Sequence, residues 1–65
     1  MRVKLGHRIR FCTVATHRDD SKLILLTTDN GVYTVEMKSW SEAGQCFEML
    51  LTNGYYDFSE CDYSN

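Results

Sequence analysis

The chain has 65 residues, 43% hydrophobic, 12% aromatic and 25% charged, with a net charge of −2. That length allows one domain with a thin core, and the apolar content fits a folded globule rather than a disordered chain. The longest uninterrupted apolar run, residues 23–26, is far too short to span a membrane, and the alternating start (Met1, Arg2, Val3, Lys4) is unlike a secretion signal. The expectation is a single unprocessed, cytoplasmic domain.

Residues 3–16 alternate with period two. Val3, Leu5, Ile9, Phe11, Thr13 and Ala15 hold one parity; Arg2, Lys4, Arg8, Arg10, Cys12 and Val14 hold the other. This predicts a half-buried strand with a basic outer face near its start. Gly6-His7 interrupts the pattern, so a bulge or a short separate strand is expected there. After a polar turn over 17–22, residues 23–28 are apolar on both parities, as in a central strand.

Asp29-Asn30-Gly31 predicts a hairpin in which Asn30-Gly31 is a two-residue type I′ loop. Residues 32–37 then form the third strand, with Leu26 opposite Val35 and Ile24 opposite Met37. A loop over 18–21 sets Ala15 opposite Ile24 and Thr13 opposite Leu26. Both loops place Ile9, Phe11, Ala15, Ile24, Leu26, Tyr33, Val35 and Met37 on one apolar face.

Residues 39–54 predict a helix. Ser39 with Glu42 forms a capping box in which each side chain takes one orphan backbone N–H. Ala43, Phe47, Leu50 and Leu51 recur at helical spacing, with Trp40 and Cys46 beside them. Gly44 weakens the helix and suits a close approach to the sheet, and Asn53-Gly54 is a stop signal. Residues 56–61 are rich in strand formers and predict a fourth strand, parallel, beside the first or the third. The expected fold class is α+β: a three-stranded antiparallel β-meander, one helix packed across one face, and a C-terminal strand, in the order β-β-β-α-β.

No arrangement of nucleophile, base and orienting group stands out around His7 and His17, and there is no glycine-rich phosphate loop or metalloprotease motif. Cys12, Cys46 and Cys61 are an odd set without a CxxC pair, which suits reduced thiols. They lack the paired spacing of zinc ligands. A non-enzymatic protein with no metal or cofactor is therefore expected.

Charge is segregated along the chain. Arg2, Lys4, Arg8, Arg10, Arg18 and Lys22 precede Leu23, whereas only Lys38 follows it, among Asp29, Glu36, Glu42, Glu48, Asp57, Glu60 and Asp62. Such asymmetry bears on partners rather than on fold. Three candidate surfaces result. The first is acidic and aromatic: Glu48, Tyr55, Tyr56, Asp57, Phe58, Glu60, Asp62 and Tyr63, suited to a basic groove. The second is the sheet face left bare by a single helix: Cys12, Val14, Leu23, Leu25, Val32 and Thr34. The third is the basic stripe Arg2, Lys4, Arg8 and Arg10, suited to phosphates. No aromatic residue shares the parity of that stripe, so base stacking is not expected there.

The leading expectation is a protein-interaction module. Its size is that of phage or mobile-element regulators that inhibit a host enzyme, sometimes a nucleic-acid-handling one, which would place it in the host cytoplasm. The alternatives are a nucleic-acid-binding module and a self-associating structural subunit.

Overall fold

In the computed structural model, which describes all 65 residues (Met1–Asn65), Gly6 turns the chain back on itself. It takes φ 60° while His7 keeps a negative φ, the pattern of a type II′ turn. The turn separates strand β1 (Arg2–Leu5) from the antiparallel β2 (Arg8–His17), with Leu5 opposite Arg8 and Val3 opposite Arg10. Gly6-His7 is thus the boundary of a separate strand, as one of the two expectations had it.

The consequence is a change of parity. Residues directly opposite each other share a face, so Arg8 and Arg10 join the side of Val3 and Leu5, and Arg2 and Lys4 lie on the other. The predicted single basic stripe does not exist.

A second change of parity follows at Thr13. Cys12 pairs with Thr28 but Val14 pairs with Thr27, so Thr13 is the extra residue of a β-bulge between β2 and β3 (Leu23–Thr28). Its hydroxyl donates to the Thr27 carbonyl at 3.3 Å. Ahead of the bulge Cys12 points inward and is 1% exposed, while Ile9 and Phe11 point outward at 59% and 64%. The expectation for all three is corrected. Strict alternation assigned Ile9 and Phe11 to the core, and one inserted residue reverses that assignment.

The next hairpin joins β3 to β4 (Gly31–Glu36) through Asp29-Asn30 rather than Asn30-Gly31. No non-glycine residue has a positive φ, so Asn30 is not part of a type I′ turn. The Thr28 hydroxyl takes over instead, donating to the Gly31 carbonyl at 2.7 Å and accepting from the Asn30 N–H at 3.1 Å. Leu26 pairs with Tyr33 and Ile24 with Val35. This differs from the expected register by two residues, which leaves every side chain on its predicted face.

Helix α1 (Trp40–Asn53) starts and stops as expected. The Ser39 hydroxyl accepts from the Glu42 N–H at 3.1 Å. The return bond of the capping box is not made, and the Glu42 carboxylate turns to a neighbouring groove. Gly54 ends the helix in the left-handed region, φ 71°, donating to the Leu50 carbonyl. Ala43, Cys46 and Leu50 are the residues the helix buries, whereas Leu51 is 51% exposed. Gly44 marks no close approach: a Cβ there would meet only His17 Cε1, at 3.6 Å.

The predicted fourth strand is two strands. β5 (Tyr55–Asp57) runs parallel to β1, and β6 (Asp62–Ser64) runs antiparallel to β4. The full order is β-β-β-β-α-β-β, an α+β fold whose sheet reads β5-β1-β2-β3-β4-β6. This topology forces curvature. Six strands laid flat would part their edges by about 24 Å, from five spacings of ~4.8 Å. The chain from Asp57 to Asp62 can reach only about 18 Å when fully extended. The sheet therefore curls until its edges approach, and Phe58, in the segment that joins them, is 0% exposed. Its N–H donates to the Lys4 carbonyl at 2.9 Å. The core inside the curl comprises Val3, Leu5, Cys12, Ile24, Leu26, Tyr33, Val35, Met37, Ala43, Cys46, Leu50 and Phe58. No helix is long and apolar enough to cross a membrane.

Candidate functional site

The convex outer face of the sheet is set by the two parity changes. β2 contributes Ile9, Phe11 and Val14 to it, β3 contributes Leu25 and β4 contributes Val32; Leu25 and Val32 are 44% and 50% exposed, and Val14 is 52% exposed. Pairing makes them neighbours. Val14 and Val32 flank Thr27, Leu25 lies between Thr16 and Thr34, and Phe11 and Ile9 stand opposite Arg2 and Lys4. An antiparallel sheet ordinarily turns polar residues to solvent. Here large apolar side chains occupy that face, and the last two strands extend the edges instead of covering it.

The face has charged rims of opposite sign. On one side, Arg2 and Lys4 lie between the apolar centre and Tyr55 and Asp57 of β5. The Asp57 carboxyl is held below the usual range, first by hydrogen bonds from Ser59 and then by the Lys4 charge. On the other, Leu23 faces Glu36, which faces Asp62. Glu36 also pairs with Lys22 at 3.1 Å, with both side chains about half exposed. Such a surface pair contributes at most about 1 kcal/mol.

Of the predicted sheet-face residues, Val14, Leu23, Leu25, Val32 and Thr34 therefore share this surface, and Cys12 is in the core. Ile9 and Phe11 are its most exposed members and were missed. A signal existed in the Gly6-His7 interruption, because a tight turn there reverses the parity of the residues that follow it up to the bulge.

The acidic aromatic residues are not brought together. Phe58 is in the core, and Tyr56 points inward beside it with ring centroids 4.7 Å apart. The Tyr56 hydroxyl and the Cys46 thiol are hydrogen-bonded to each other at 3.2 Å. The ionisation of Tyr56 is pushed up to about 12, first by that hydrogen bond, then by burial and by neighbouring negative charge. Tyr55 lies beside Arg2 on the outer face, and Tyr63 sits on the far edge against Tyr33. Glu48 is on the helix, in a shallow groove with His17 and Trp40. Asp57, Glu60 and Asp62 do converge. With Glu36 and Glu42 they line an open groove of about 660 Å³, bordered by Lys22 and Lys38.

All three cysteines are free, with Cys12 and Cys46 buried and Cys61 half-buried in the wall of that acidic groove. Burial pushes the Cys12 and Cys61 thiols up, away from the thiolate form. No three His, Cys, Asp or Glu side chains are grouped so as to hold a metal ion. His17 is engaged within the fold: its Nε2 bonds with the Ser21 carbonyl at 2.7 Å and its ring packs on Phe47 at 5.7 Å.

Arg8 and Arg10 come instead to a cleft of about 280 Å³ at the end of the curl, where Tyr33 and Tyr63 form part of the lining. The fold and its surfaces define a small α+β domain with a curled six-stranded sheet. No protein-family model, curated protein or solved structure matches the chain.

Proposed function

We propose that this chain is a non-enzymatic protein-docking module whose working surface is the outer face of the sheet. The observation that supports it is the uncovered apolar cluster of Ile9, Phe11, Val14, Leu25 and Val32. Large apolar side chains exposed together on one sheet face and rimmed by charge are characteristic of interaction sites. Phe11 is the natural anchor: it is aromatic, the most exposed of the cluster at 64%, and fixed on a paired strand. The rims fit a partner whose apolar patch is bounded by acid on one side and base on the other.

The test is capture of partners from the native cell with the wild-type chain and with Phe11→Asp and Leu25→Asp. Both variants are exposed and should keep the fold, which far-UV circular dichroism and thermal melting check. The expected result is a protein retained by the wild type and lost from both variants. Loss on reversing Asp57, Glu60 and Asp62 instead would move the working surface to the acidic groove. A partner indifferent to Phe11 and Leu25 overturns the proposal.

A further inference from the structure

The cleft at the Gly6-His7 turn gathers cations and aromatic rings. Arg8 and Arg10 reach it from β2, and Tyr33 and Tyr63 from β4 and β6. Its lining includes no carboxylate, although the chain as a whole carries a net charge of −2. The two rings differ in role. Tyr33 is 7% exposed, and its hydroxyl accepts from the Asn30 side chain at 2.9 Å. Tyr63 is 43% exposed and leans on Tyr33, with ring centroids 6.1 Å apart and planes tilted by 57°. Tyr33 is thus a fixed support and Tyr63 the ring that is free to take a ligand.

Gly6 is what lets Tyr63 sit there. A Cβ at that position would lie 2.7 Å from the Tyr63 hydroxyl. The glycine therefore serves the turn through its positive φ and the cleft through its lack of a side chain. Sequence alternation hid this arrangement, since no aromatic shares the strand parity of Arg8 and Arg10. The rings arrive from distant strands only because the sheet curls.

We propose that this cleft binds single-stranded nucleic acid through one nucleotide, with Tyr63 stacking a base and Arg8 and Arg10 taking flanking phosphates. Stacking on an exposed aromatic ring beside a basic patch is how single strands are held without reading sequence. The cleft is small and open rather than enclosing. At about 280 Å³ the cleft falls just short of the roughly 300–1,000 Å³ of pockets that bury a drug-sized ligand. A duplex keeps its bases stacked on one another and has none to offer Tyr63.

The test is fluorescence anisotropy with labelled single-stranded oligonucleotides of about ten nucleotides, within the range of known single-strand sites, titrated at low and at moderate salt. Salt-sensitive binding is expected. Arg8→Gln with Arg10→Gln should make the slope of log affinity against log salt shallower by about 1.4, at roughly 0.7 per phosphate contact on a single strand. Tyr63→Leu, which keeps bulk and removes the aromatic face, should weaken binding roughly 5- to 150-fold, and Tyr63→Phe should retain it. Arg2→Gln with Lys4→Gln, on the opposite face, should leave binding unchanged. Phe11→Asp should do the same, so this inference and the docking face stand or fall separately.

No binding by the native chain at low salt overturns the proposal. An equal loss from the Arg2 and Lys4 pair overturns it as well, since binding would then follow overall charge. Competition by inorganic pyrophosphate or duplex as strong as by the single strand, or binding of AMP without binding of the oligonucleotide, also overturns it.

Discussion

Tyr56 shows how much a single side chain is set by its surroundings. In the sequence it is one of several tail tyrosines with nothing to distinguish it. In the fold its hydroxyl meets the Cys46 thiol, and its ionisation moves from 10.0 to about 12. The neutral phenol is favoured in the folded state, so its contribution to stability is complete below pH 10 and is lost as pH rises through about 12. Cys12 and Cys61, also raised by burial, act in the same direction from 9.0 upward. Denaturation midpoints should therefore fall across the alkaline range, and Tyr56→Phe should flatten that fall above pH 10. Absorbance titration of the wild type against Tyr56→Phe checks the assignment, because the variant should lack a phenol that ionises near 12. Asp57 works at the other end: its lowered carboxyl stabilises above its ordinary value and the effect fades as pH falls through the folded one. It is fully exposed, so that effect is small.

The helix was legible as an element because its signals are local. Ser39 caps it and Gly54 ends it through contacts within a few residues. The β2 strand was legible in position but not in phase. Thr13 carries no mark of a bulge; it becomes one only because β2 must pair with β1 on one side and β3 on the other. The stability of outer-face variants measures this directly. Phe11→Thr and Ile9→Thr should each shift urea-denaturation stability by no more than about 0.5 kcal/mol, as surface substitutions do. Leu26→Ala, 0% exposed, should cost about 2–5 kcal/mol. A loss at Phe11 matching that at Leu26 would mean that the strand runs in the phase that alternation predicts.

At the scale of the molecule, the curl decides most of what the surface offers. It brings Tyr63 to Gly6, places Phe58 inside, and leaves the outer face bare. Phe58 is the largest fully buried side chain and lies in the segment that joins β5 to β6, so closure of the curl leans on it. Phe58→Ala should cost about 3–5 kcal/mol, comparable with the whole stability of a domain this small. The variant should be largely unfolded at physiological temperature by circular dichroism, and a cooperative melt close to the native one would remove Phe58 from that role. The sequence by itself determined what nearest neighbours decide: the strand-forming stretches, the helix with its cap and stop, the α+β class, and the inward face of β3 and β4. Tertiary structure alone decided the phase of β2 ahead of its bulge, the division of the tail into two edge strands, and the meeting of Arg8 and Arg10 with Tyr63. The physical reason is that side-chain direction along a strand depends on pairing across the sheet. A two-residue turn or one inserted residue reverses it while leaving the local pattern unchanged.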